Sequence, residues 1–245
     1  MKSFESFLKT PLAHRGLHDD HLAENSMGAF KAAVEHGYGI ELDVHVIKDQ
    51  TIVVVHDNEL KRVTGFDVRV EDLTKDELSK YPLSIGKETI PTLKEMLDMV
   101  DGRVPVLIEL KVTGDFDPKN PLLPEGVLKV LEGYPNPDNI AIQSFNPYVM
   151  RYLRDHQVPY RLGQLSSCKL EGQSKFVEWL FGTLNVLKIS KADFVAFDIL
   201  YLPSRHVARR KKKGMPILTW TVDTPEKLAT AKKCADNVIF EKIRV

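Results

Sequence analysis

Residues 39–56 read GIELDVHVIKDQTIVVVH, and the alternation within them decides the fold. Glu41 and Asp43 stand two apart and share one face of a strand, while Ile40, Leu42 and Val44 take the other. An acidic face interleaved with β-formers is unfavourable inside a structure unless it is used. Only Lys48 to Thr51 separate this run from Ile52 to Val55, too few residues for a parallel crossover. The second run is therefore expected to return as an antiparallel hairpin, setting His56 roughly opposite Asp43.

Working outward, short apolar runs rich in Val, Ile and Leu recur at 11–14, 104–109, 140–143, 160–165, 194–197, 217–220 and 237–240. With 39–46 they make eight candidate strands. Segments of helical period fall between most of them, at 26–36, 92–99, 125–131, 147–155, 174–187, 205–212 and 225–233. Such alternation marks βαβ units around a parallel sheet, and a 245-residue chain has the length of one α/β barrel. No linker, low-complexity tract or repeat divides it. Residues 1–245 are read as one barrel domain, with 58–91 as a small insertion carrying a short helical pattern around Leu73 to Leu78.

Lys and Arg number 34 and so do Asp and Glu, so no net field draws the chain to nucleic acid or to an anionic membrane. No apolar run approaches the roughly 18 residues of a membrane span, and no stable membrane association is expected. Lys2, Glu5 and Lys9 interrupt the N-terminal segment Met1 to Thr10 where a secretion signal needs an unbroken apolar stretch. Cys168 and Cys234 lie far apart without CxxC spacing, which fits a reducing compartment. A cytoplasmic location is the expectation. The basic run Arg209 to Lys213 ends a predicted helix before Gly214, where cations complement the helix dipole.

Acidic and imidazole side chains gather at strand ends: His14-Arg15-Gly16, Glu41-x-Asp43, His56-Asp57 and Glu109-x-Lys111. Glu41 and Asp43 can converge on one hard cation, with Glu109 as a third oxygen donor. An all-carboxylate set suits Mg²⁺, Ca²⁺ or Mn²⁺ rather than zinc. His14 and His56 ordinarily titrate near neutrality, as an acid–base pair requires. Arg15 and Lys111 supply charge for an anionic substrate, and the sum describes phosphoryl transfer at a phosphodiester. Phe145 and Trp220 end strands and are candidates for an apolar wall beside the cation. His18, His21, His36 and His45 rank lower, and helix capping suffices to explain Asn25 and Ser26.

The stretches LAHRGLHDDHLAENSMGAF (12–30), GIELDVHVIKDQTIVVVHDNELKRVTG (39–65), IPTLKEMLDMV (90–100), VLIELK (106–111), QSFNP (143–147) and GMPILTWTVDTPEKL (214–228) resemble the glycerophosphodiester phosphodiesterase family, in its order and over nearly the whole chain. The resemblance implies a TIM-type (β/α)8 barrel with a small insertion after the second-strand hairpin. It also implies divalent-metal-dependent hydrolysis of glycerophosphodiesters, small molecules, to glycerol 3-phosphate and an alcohol. On matching positions, His14 and His56 would be the acid–base pair, Glu41, Asp43 and Glu109 the metal ligands, and Arg15 and Lys111 the phosphate contacts. Near the C-terminus DNVIFEKIRV departs from the family's DGIITDYP-like pattern and leaves Glu241 unassigned. Two rivals stand beside this reading. One is a non-catalytic binding barrel, which would be marked by loss of a ligand or histidine. The other is a lysophospholipid-directed phosphodiesterase, for which the insertion, with Phe66 and Tyr81, offers no clear amphipathic anchor.

Overall fold

The computed structural model describes residues 3–112 and 114–245. Met1 and Lys2, part of the segment read above for a secretion signal, lie outside the described residues. Nine strands form one sheet: β1 (Leu12–His14), β2 (Gly39–Val46), β3 (Ile52–Val54), β4 (Val106–Leu110), β5 (Ile140–Ser144), β6 (Arg161–Ser166), β7 (Phe194–Asp198), β8 (Ile217–Val222) and β9 (Asn237–Phe240). All but β3 run parallel, and β1 pairs with both β2 and β9, so eight strands close a barrel ringed by helices. This is the TIM barrel that the alternation predicted.

Each strand feeds two cores. Side chains of one parity, such as Ile40, Leu42 and Val44 of β2 or Val106, Ile108 and Leu110 of β4, join the layer beneath the helices. The other parity points into the barrel. Its lower part is filled by Leu12, Leu107, Ala141, Leu165, Phe194, Leu218 and Ile239. A helix absent from the sequence reading, Glu5–Lys9, closes that end with Phe4 and Phe7, and Phe4 stacks on Phe194 at 4.7 Å. Gly163 is required here, because a Cβ at this position would stand 2.2 Å from the Phe194 ring.

The hairpin forms as expected, but its register differs by one residue. Val44 faces Val54 and the Val55 N–H donates to the Asp43 carbonyl at 3.0 Å, so His56 lies one position beyond Asp43's partner. The next segment folds as short turns of helix, Lys61–Thr64, Val70–Asp72 and Lys75–Lys80. These cover a local apolar cluster including Val53, Val55, Leu60, Val70 and Leu78. The helix predicted at 174–187 is broken in two, Lys175–Gly182 and Leu187–Ser190, with Leu184 at a left-handed φ of 58° between them.

Candidate active site

Strand register assembles the site. His14 is level with Glu41 across β1 and β2, Asp43 with Glu109 across β2 and β4, and Glu109 with Gln143 across β4 and β5. These residues share the C-terminal face of the barrel, where its chemistry is positioned, with β2 running on past that face into the hairpin. His14, Arg15, Glu41, Asp43, His56, Glu109, Lys111, Phe145 and Trp220 line one cavity of about 100 Å³. The structure thus brings together every residue singled out for catalysis, metal or substrate.

Oxygen atoms of Glu41, Asp43 and Glu109 lie within 4.8 Å of one another, and all three residues are buried. Burial, then repulsion from Asp43 and Glu109, pushes the Glu41 carboxyl well above its usual range; burial raises Glu109 too. Burial also works against ionised Asp43, but Lys111 and Arg15 prevail and hold it far below the ordinary value. Lys111 Nζ is 3.1 Å from Asp43 and 2.8 Å from Glu109, and Arg15 Nε is 3.4 Å from Asp43. Asn25 and Gln143 donate amide N–H groups to Asp43 and Glu41, at 3.0 and 3.2 Å, while their own carbonyl oxygens, Oδ1 and Oε1, are buried without partners. An all-oxygen donor set around excess buried negative charge fits a hard divalent cation.

The two histidines are mounted alike. His14 Nδ1 is 2.8 Å from Glu241 Oε2, and His56 Nδ1 is 2.5 Å from Asp57 Oδ1. An ionised carboxylate only accepts, so Nδ1 carries the proton in both rings and Nε2 is left with a free lone pair. Burial lowers both imidazoles, and the carboxylates only partly oppose it. Bonds to His14 and His18 hold Glu241 itself far below the usual carboxylate range. Behind His56, Asp57 accepts from Arg62 at 2.5 Å. Arg62 also donates to Glu24 at 2.7 and 2.8 Å, and Glu24 accepts from Arg15 at 2.8 Å. A continuous chain of charge-assisted bonds therefore ties His56 to Arg15.

Local backbone aims these groups. Arg15 and Gly16 are both left-handed, at φ 56° and 80°, and a Cβ on Gly16 would press within 2.9 Å of Ala29 and Phe30. The turn lets the Arg15 N–H donate to Glu41 at 3.3 Å. Phe145 and Trp220 meet edge to face at 5.6 Å, and Trp220 is fixed by its indole N–H on the Ala196 carbonyl. His45 bonds the His56 carbonyl at 3.1 Å, a supporting contact.

Sequence reasoning missed several members. Ser26 does cap its helix, accepting from the Ala29 N–H, but Asn25 is turned to Asp43, so capping does not explain it. Glu241 was unassigned, yet it stands two residues after the buried inward Ile239, as Glu109 stands after Leu107. That parity was available in the sequence. Asp57 was noted beside His56 without a role, whereas Glu24 and Gln143 had no such signal, because their partners Arg15, Arg62 and Glu41 are set by the fold.

A barrel whose rim pairs carboxylate-backed imidazoles with a cation-ready acidic trio and two fixed positive charges belongs among the phosphoric diester hydrolases. The profile of the glycerophosphoryl diester phosphodiesterase family matches residues 14–242, and the chain belongs to that family. A glycerophosphodiester phosphodiesterase of Caldanaerobacter subterraneus subsp. tengcongensis is 31% identical over 94% of this chain and 93% of its own. Lysophospholipase D GDPD1 of Rattus norvegicus is 33% identical over 98% of this chain and 76% of its own. The crystal structure of the glycerophosphodiester phosphodiesterase of Thermotoga maritima aligns with a TM-score of 0.72 at 27% identity, covering 94% of each chain. The protein is accordingly an enzyme of glycerophosphodiester hydrolysis. No helix among the described residues is long and apolar enough to cross a membrane.

Proposed function

We propose that the chain converts glycerophosphodiesters to glycerol 3-phosphate and an alcohol with one divalent cation, Mg²⁺ or Ca²⁺, held by Glu41, Asp43 and Glu109; Mn²⁺ suits the same donors. The observation that carries this reading is the convergence of those carboxylate oxygens within 4.8 Å, on a cavity that His14 and His56 also line. When bound, the cation supplies charge against the non-bridging phosphate oxygens. Arg15 and Lys111 orient the phosphate and balance the charge that builds in the transition state. One of His14 and His56 takes the proton of the attacking oxygen, and the other protonates the leaving alkoxide. Glu241 and Asp57 hold the rings so that Nε2 faces the substrate. Phe145 and Trp220 wall the cavity against water. The balanced charge supports a small-molecule substrate rather than nucleic acid, and the free thiols of Cys168 and Cys234 support a cytoplasmic enzyme.

The test is a panel of glycerophosphodiesters with Mg²⁺, Ca²⁺, Mn²⁺ or EDTA, scored for glycerol 3-phosphate. Product with a cation and none in EDTA is expected. Product under no condition overturns the reaction, and full turnover in EDTA overturns the metal. A substrate with a nitrophenolate leaving group needs no protonation, so it should be spared only by loss of the acid histidine, which tells the two rings apart.

A further inference from the structure

Glu241 serves two imidazoles. β1 and β9 pair with Ala13 level with Phe240, which sets His14 and Glu241 side by side where that ladder ends. Glu241 Oε2 meets His14 Nδ1 at 2.8 Å, and His18 Nε2 stands 3.5 Å from the same oxygen. The second contact is long, and His18 Nε2 is buried and makes no standard hydrogen bond. An ionised carboxylate only accepts, so the proton sits on the His18 nitrogen that faces it. Bonds to His14 and then His18 hold Glu241 far below the usual carboxylate range, so it is ionised to receive both.

The loop after β1 is built to present this second ring. On one side of His18 the buried Leu17 donates its N–H to the Ala29 carbonyl at 2.9 Å; on the other, the Asp19 N–H donates to the Leu22 carbonyl at 3.0 Å. The Asp19 carboxylate then accepts from the His21 and Leu22 N–H groups at 2.8 and 2.9 Å. With the backbone pinned at both flanks, the imidazole cannot drift from Glu241 without breaking the turn. Two other readings of His18 fail. Among the described residues, Glu41, Asp43 and Glu109 form the one group of acidic, imidazole or thiol side chains able to hold a metal ion, so His18 is not a ligand. Nor does it line the reaction chamber, so it does not touch the substrate.

A glutamate reaches its target through three side-chain torsions, and the last of them is broad. One bond to His14 leaves the carboxylate free to turn about it, whereas a second donor at the same oxygen narrows that freedom. We propose that His18 is a positioning residue for the hydrolysis: it steadies Glu241, and Glu241 thereby keeps the His14 proton on Nδ1 and the lone pair on Nε2. The inference rests on the acid–base role of His14 and deepens it by one further residue.

The first measurement needs no turnover. In the full chain with ¹⁵N-labelled imidazoles and Mg²⁺, at a mildly alkaline pH where an ordinary imidazole is neutral, ring correlations report which nitrogen of His14 carries the proton. His14→Ala assigns the signals. The parent is expected to show Nδ1–H alone, and His18→Phe, which keeps a ring without a donor, a mixture of both tautomers. An unchanged His14 tautomer in His18→Phe overturns the proposal. Rates of glycerol 3-phosphate release then test the route. His18→Phe and His18→Ala should each lower kcat by about tenfold with KM little changed, and either should cost nothing more once Glu241→Gln is present. Full kcat in His18→Phe would make His18 a space-filler, and losses that multiply in the double variant would mean that it does not act through Glu241; either result overturns the proposal. If the parent turns over no glycerophosphodiester, the hydrolytic reading falls alone, and the His14 tautomer still decides whether His18 steadies that ring through Glu241.

Discussion

Along β4 the inward side chains are Leu107 and then Glu109; along β1 they are Leu12 and His14, along β8 Leu218 and Trp220, and after Ile239 of β9 comes Glu241. The lower layer of the barrel and its upper rim are thus built from the same strands, one pleat repeat apart. Below, the interior is sealed by aromatic stacking under the Glu5–Lys9 helix. Above, buried carboxylates crowd one another and Glu41 is pushed up by burial and repulsion. The contrast teaches that stability is drawn from one layer and function from the next, and each can be damaged without the other.

The largest expected effect is at the rim. His14→Ala or His56→Ala should lower kcat by at least about a hundredfold while thermal unfolding stays near that of the parent protein. Near-normal turnover in both variants would remove the acid–base assignment. The converse experiment is Leu107→Ala in the lower layer. It should lose about 2–5 kcal/mol of stability, a Tm drop on the order of 5–15 °C, with the rate per folded molecule little changed. A large loss of kcat there would mean that the two layers are coupled. Next comes Glu241→Gln, which keeps the shape but weakens the hold on His14 Nδ1. A roughly tenfold fall in kcat, partly restored by Glu241→Asp, is expected of a positioning residue; an unchanged kcat would reduce Glu241 to a surface charge.

The smallest effect concerns Glu24, which joins the two arginines. Burial opposes its ionisation, but Arg62 and Arg15 outweigh this and hold it below its ordinary 4.5. A depressed carboxylate contributes stability that is complete above the unfolded value and lost as pH falls through the folded one. Glu24→Gln should therefore be less stable than the parent at pH 7, with the gap in Tm closing as pH drops below 4.5. A gap independent of pH would show that the network contributes through packing rather than charge.

Legibility in the sequence followed the range of the interaction. Strands could be read because apolar β-formers recur locally, and Glu41 and Asp43 because parity within one strand is a local fact. The hairpin was readable from four intervening residues, Lys48 to Thr51, though turn geometry moved its register by one. The Glu5–Lys9 helix was missed because it is short and polar outside, and only Phe4 and Phe7 against Phe194 reveal its purpose. The break at Leu184 depends on how loops lie together, which no periodicity encodes. The Arg62–Glu24–Arg15 relay joins the short helix Lys61–Thr64 to the loop that follows β1, so composition could not predict it.

The bond from His14 to Glu241 spans 227 positions. On the ribosome, where synthesis proceeds at about 5–20 residues per second, the imidazole waits roughly 10–45 s for its carboxylate. Part-way through that interval the acidic trio is completed by Glu109, yet the His14 ring still lacks the carboxylate that orients its nitrogen. Competence thus waits until Glu241 has been made and β9 has docked against β1.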